Sequence, residues 1–129
     1  MEPQLFKHYS EFTGDWPWNN FTPKEVSCRH CGEFYHDAKA MAAIQLLRDG
    51  WGKPIVITSG HRCTVHNAIV DGAPKSQHLK IAFDCVCPRK DQDDFIKAAL
   101  IAGFTGIGRY PARNFVHLDT RPEPKGWRG

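Results

Sequence analysis

The chain has 129 residues, of which 41% are hydrophobic and 24% charged, and a formal net charge of +3. This composition excludes a disordered or fibrous chain, and the length suits one domain spanning 1–129 better than two independent cores. No apolar run approaches the roughly 18–20 residues that cross a bilayer, and the basic residues are scattered, not gathered into the stripe of a nucleic-acid binder.

The opening MEPQLFKHYSEF lacks a basic stretch followed by an apolar core, so no secretory signal peptide is expected. Residues 1–27 are rich in aromatics and Pro: Phe6, Tyr9, Phe12, Trp16, Trp18 and Phe21. They read as an irregular segment wrapped on the core by its rings. Thr22-Pro23-Lys24-Glu25 has the form of a helix start, with Thr22 as cap and Glu25 three residues on. It has room for one turn before Cys28-Arg29-His30-Cys31-Gly32.

Over residues 36–51, Ala40, Ala43, Ile44, Leu46 and Leu47 recur at helical spacing, with Gly50 and Gly52 as stops. Residues 54–58 form a β-branched run that reads as a buried strand. Residues 66–70 suit a short helix stopped by Asp71-Gly72. Residues 81–86 read as a strand, and 91–102 as a helix ending at Gly103. Residues 104–108 and 114–119 read as two strands joined by a turn at Pro111. Helices and strands mix without a βαβ rhythm, which predicts a small α+β domain, an antiparallel sheet flanked by helices.

Three segments carry side chains able to converge: Ser76-Gln77-His78, Phe83-Asp84, and Phe115-Val116-His117-Leu118-Asp119. Two His and one Asp are donors that zinc accepts, and three protein ligands with one open position describe a catalytic site. Water on such a zinc ionises near neutral pH. On a strand, residues two apart share a face, so His117 and Asp119 are expected to point into one cleft. Asp119 then either takes a proton as base or orients a ligand histidine.

Several motifs in order raise this pattern above a lone match: Ser59-Gly60-His61-Arg62, His66-Asn67, Gly72-Ala73-Pro74-Lys75-Ser76-Gln77-His78, Ala82-Phe83-Asp84, and the closing AGFTGIGRYPARNFVHLDTRPEPKGW. The chain resembles the zinc D-alanyl-D-alanine metallopeptidases of the hedgehog/DD-peptidase superfamily over most of its length, and its end resembles the branch found in phage and gene-transfer-agent particles. The resemblance implies a hedgehog/DD-peptidase-like domain. It implies zinc held by His78, Asp84 and His117, Arg62 as the catalytic residue that steadies the substrate near the scissile bond, and Ser76 as a substrate contact lining the cleft. From their positions beside these residues, Asp119 is the candidate catalytic base, and Gln77 and His61 are candidate substrate contacts. The resemblance implies hydrolysis of peptidoglycan stem or cross-link peptides containing D-amino acids, by a D-Ala-D-Ala carboxypeptidase or an endopeptidase. With no signal peptide, the expected protein is made in the cytoplasm. It reaches the wall as an endolysin-like enzyme after phage-type release, or as a particle component beside phage-tail proteins. No nucleic-acid partner and no membrane span are expected.

The sequence departs from the family in two places. The His78–Asp84 interval is one residue shorter than usual. Asn114 stands where many members carry an acidic base, three residues before the last His. These departures feed an alternative: a non-catalytic wall-binding or particle-structural module on the same fold. The five cysteines Cys28, Cys31, Cys63, Cys85 and Cys87 leave free thiols, disulfides and a second zinc open, with Cys85 and Cys87 expected on the strand face opposite Asp84.

Overall fold

The computed structural model describes residues 2–70 and 72–129. The main sheet has five strands: β3 (Ile57–Ser59), β4 (Phe83–Val86), β5 (Gly106–Tyr110), β6 (Phe115–Asp119) and β7 (Lys125–Arg128), in the order β3-β4-β6-β5-β7. A two-stranded ladder pairs β1 (Gln4–Phe6) antiparallel with β2 (Phe34–His36). The α+β class expected from the sequence is the class observed.

Two helices cover one face of the main sheet. In α1 (Ala38–Trp51) the Asp37 side chain accepts from the N–H groups of Lys39 and Ala40 at 3.1 and 3.3 Å. These are two of the donors that a helix start leaves unsatisfied. Gly52 closes α1 in the left-handed conformation, and Gly103 does the same for α3 (Gln92–Ala102). Met41, Ile44 and Leu47 of α1 meet Phe95 and Ala99 of α3 in the core, and Trp51 sets its ring edge-on to Phe95 at 5.2 Å.

Strand alternation sorts the sheet into two faces. Phe83, Cys85, Val116 and Leu118 belong to the core beneath the helices, which leaves Asp84, His117 and Asp119 on the opposite face. Cys85 is fully buried on the core side, as the strand reading requires.

The expected turn at Thr22 forms as a 3-10 turn, Lys24–Val26, closed by reciprocal bonds. Thr22 N–H donates to Glu25 Oε1 at 2.7 Å, and Glu25 N–H donates to Thr22 Oγ1 at 3.2 Å. The aromatic wrap is present around Phe34: Phe6, Phe12 and Trp16 lie with their rings 5.5–6.0 Å from it.

Four features differ from expectation. The strand expected over 54–58 forms later, as β3, and Val56 and Thr58 are exposed because this short strand pairs only with β4, at the edge of the sheet. Segment 1–27 includes β1, whose backbone groups pair with β2. The short helix α2 (Thr64–Ile69) starts two residues earlier, because Cys63 Sγ accepts from His66 N–H at 3.3 Å. The expected Asp71 stop lies outside the described residues. Finally, β7 runs parallel to β5, so the sheet is not wholly antiparallel. Both neighbours of β6 are already β4 and β5, so the returning chain docks on the open edge of β5.

Candidate metal centre and cleft

Asp84 and His117 are direct cross-strand partners in the β4–β6 ladder. Backbone register alone therefore brings a carboxylate and an imidazole together. His78 arrives from a 3-10 turn, Gln77–Leu79, which Ser76 caps by accepting from His78 N–H at 3.2 Å. The loop after β3 grips this turn twice. His78 Nδ1–H donates to Gly60 O at 2.6 Å, and Arg62 N–H donates to His78 O at 2.6 Å. The shortened His78–Asp84 interval falls in the turn and the residues before β4, so it leaves the facing of Asp84 intact.

The tautomers follow from the acceptors. A carbonyl can only accept, so His78 carries its proton on Nδ1 and turns a bare Nε2 inward. That Nε2 is buried without a hydrogen-bond partner and lies 3.2 Å from Asp84 Oδ1. On His117, Nε2 faces Asp119 Oδ2 at 2.7 Å, while Nδ1 faces Asp84 Oδ1 at 3.1 Å. The donor atoms of His78, Asp84 and His117 all lie within 4.8 Å of one another. Two imidazoles and one carboxylate, with an orphaned buried nitrogen among them, fit a divalent metal with an open position.

Electrostatics support the same grouping. Burial opposes the charge on Asp84, but the hydrogen bond from His117 and the nearness of His78 outweigh it and hold its carboxyl well below the usual range. Burial likewise opposes a charged His117, yet Asp119 and Asp84 on either side raise its pKa.

Asp119 has no exposed side-chain surface, and both its oxygens are occupied. Oδ2 accepts from His117 Nε2 and from Arg121 Nη2 at 2.6 Å. Oδ1 accepts from Arg121 Nε at 2.8 Å and Arg121 N–H at 3.1 Å. Against burial, Arg121 first and His117 second hold its pKa well below the ordinary range. Asp119 shares the face of His117 as strand periodicity requires, but it sits behind that ring and does not line the cleft.

The cleft itself has a volume of about 440 Å³. Arg62, Ser76 and Gln77 line it beside His78, Asp84 and His117. Arg62 Nη2 donates to Ser76 Oγ at 3.3 Å, and its Nε is buried without a partner. His61 is placed elsewhere: it is 2% exposed, donates to the Lys80 carbonyl, engages Glu33 Oε1 at 2.7 Å and stacks on Tyr35. It fixes the loop under Arg62 and does not reach the cleft. Asn67 of the His66-Asn67 motif donates from Nδ2 to Ala73 O at 3.0 Å.

Asn114, in the position of the family base, has φ +55° at the β5–β6 turn. Asn tolerates that left-handed conformation, and its side chain accepts from Arg89 N–H at 3.3 Å. It serves the turn and is not a lining residue.

Lys75, Arg113, Arg121 and Lys125 also line the cleft, against Asp84 as its one carboxylate among the described residues. Tyr110, Phe115 and Trp127 form an aromatic wall. Trp127 reaches His117 at 5.0 Å because it packs over Gly108, where a Cβ would lie 2.5 Å from the indole. Sequence periodicity carries no signal for these charges, since they converge from the loop before His78, the β5–β6 turn, the chain after β6 and the unforeseen β7.

A donor triad at the floor of a cationic cleft is the arrangement of a metal-dependent hydrolase. A family model described as Peptidase M15 matches residues 19–119. The chain belongs to that family and is thereby a metallopeptidase. No curated protein matches it.

Proposed function

We propose that the protein is a zinc-dependent peptidase that hydrolyses peptidoglycan peptides containing D-amino acids, as a carboxypeptidase or an endopeptidase. The observation that carries this reading is the bare, buried Nε2 of His78 directed at Asp84 and His117 on the cleft floor. When bound there, zinc supplies a Lewis acid for the scissile carbonyl and an activated water.

The chain's own groups do the remaining work. Gly60 O and Asp119 lock the two imidazoles so that His78 Nε2 and His117 Nδ1 point inward. Asp119 acts as the orienting acceptor, since both its oxygens are engaged behind His117. Arg62 holds negative charge at the reacting carbonyl or the substrate carboxylate, for which its planar fork is suited. Ser76 steadies Arg62, and Gln77 offers a neutral amide for the peptide backbone. Lys75, Arg113 and Lys125 favour acidic peptides, and peptidoglycan stems carry free carboxylates. Phage-type release or a place in a virion is the proposed route to the wall. Among the described residues no helix is long and apolar enough to cross a membrane.

The alternative, a wall-binding module without turnover, draws on one observation: apart from Asp84, no carboxylate lines the described cleft. Incubating the protein with purified muropeptides and zinc, with products read by mass spectrometry, separates the two. Loss of a terminal D-residue or a cut cross-link is expected. Tight muropeptide binding with no product from a fully metallated protein overturns the peptidase reading in favour of the module.

A further inference from the structure

A second cluster of ligand side chains lies outside the cleft. Cys28 and Cys31 flank a tight turn, and Cys63 opens α2. Their sulfurs lie within 4.8 Å of one another, and all three are free thiols. The turn has the shape such a site requires. Gly32 N–H donates to Cys28 O at 2.8 Å, and Cys28 N–H donates to Glu33 O at 2.9 Å. Gly32 sits at φ +80°, where a Cβ would strike the His8 ring.

His30 stands beside this trio, next to Cys63. Its Nδ1 is 3.8 Å from Cys63 Sγ, and its ring stacks parallel to His66 at 5.8 Å. A tetrahedron of thiolates about 2.3 Å from zinc has edges of roughly 3.7 Å, so this spacing suits adjacent ligands of one ion. The two segments are also joined by the backbone. His61 N–H donates to Val26 O at 2.9 Å, and Gly60 passes so close that a Cβ would lie 2.5 Å from that oxygen.

We propose that Cys28, Cys31 and Cys63, with Nδ1 of His30, form a second zinc site that is structural. Soft thiolates with an imidazole select zinc over hard cations, and four protein ligands leave no position for substrate. Binding releases the thiol protons to solvent. The site ties residues 28–31 to the chain beside Arg62, whose guanidinium lies within the fields of both Asp84 and Cys28. It therefore anchors the arginine of the cleft from behind. Cys85 and Cys87 take no part, since Cys85 is held in the core and Cys87 just beyond β4.

The test uses the full chain purified under reductant, with metal counted by mass spectrometry and cobalt(II) as a spectroscopic probe. Two metal equivalents are expected in the wild type. Cys31→Ser, at an exposed position, is expected to lose one equivalent, as is His78→Ala at the other site. Thiolate-to-cobalt charge transfer in the near ultraviolet should persist in His78→Ala and vanish in Cys31→Ser. His30→Ala should keep the band but release cobalt to a lower chelator concentration. A wild type without that band overturns the site, as does a Cys28–Cys31 disulfide in the reduced preparation. A single equivalent that His78→Ala removes also overturns it, while leaving the peptidase reading intact.

Discussion

Replacing Asp119 by Asn tests how the candidate metal centre is organised. The carboxylate accepts four hydrogen bonds, two on each oxygen, from His117 and Arg121. An amide has one acceptor oxygen, so its NH₂ must face two donors whichever way it turns. Placed against His117, it drives the ring proton from Nε2 to Nδ1, the nitrogen meant for metal. Loss of such an orienting partner typically weakens metal affinity by roughly 10- to 100-fold, or about 1.4–2.7 kcal/mol. Arg121 also loses its anionic partner, and breaking a buried pair costs about 3–5 kcal/mol, with the low end expected for a partly exposed guanidinium. A general base in the same place would instead lower turnover by roughly 10²–10⁴ with metal retained. The assay measures zinc affinity by competition with a chelator, and muropeptide turnover at excess zinc. The expected result is weak zinc binding with turnover restored at saturation. A fully metallated but inactive Asp119→Asn would refute the orienting role.

Arg62→Lys keeps the charge but loses the fork, so turnover should fall by roughly 10²–10³ with little change in melting temperature; unchanged kcat would remove Arg62 from the chemistry. Metal occupancy should decline from the neutral range downward, because the raised pKa of His117 makes a proton compete with the metal there. Each pH unit below that pKa should weaken apparent affinity by about tenfold, as a pH series of chelator titrations will show. In the metal-free chain the same group acts oppositely: its stabilisation is full below the unfolded value near 6.5 and fades as pH rises through the folded pKa, visible in melting curves. Gly60→Ala should destabilise by roughly 1–3 kcal/mol, since its Cβ meets the Val26 backbone, and should loosen metal through His78; an unmoved denaturation midpoint would contradict that packing.

The elements that a local pattern can announce were legible in the sequence. Helices α1 and α3 show apolar residues at helical spacing and glycine stops, and β4 and β6 are compact apolar runs. Strand β7 was not legible, because Lys125–Arg128 follows two prolines and contains a glycine, and its pairing with β5 depends on which sheet edge is vacant. Strand β1 is three residues long and gains its identity only from β2. At the candidate site, His78, Asp84 and His117 could be named from motif order, and strand periodicity placed His117 and Asp119 on one face. Periodicity does not say which neighbour an oxygen turns toward, so Arg121 as the partner of Asp119 was invisible. His61 next to Arg62 illustrates the same limit. Adjacent residues in an irregular loop can point to opposite sides, and here one lines the cleft while the other is buried against Glu33.

The three candidate ligands do not stand on equal footings. Asp84 and His117 ride on neighbouring strands whose ladder must break before they part. His78 rides on a turn, residues 76–80, held to the loop after β3 by four hydrogen bonds: from its ring to Gly60 O, from Arg62 N–H to its carbonyl, from Arg62 Nη2 to Ser76 Oγ and from the His61 ring to Lys80 O. On the proposed ligand set, the metal therefore has a hinged side and a fixed side. Exchange of such a metal is expected to run through local opening of residues 76–80 and not through parting of the two strands. Ser76 and Arg62 belong to that hinged side and also face the cleft. On the proposed function, a peptide bridging them would latch that side, and an occupied cleft would be expected to retain its ion longer than an empty one.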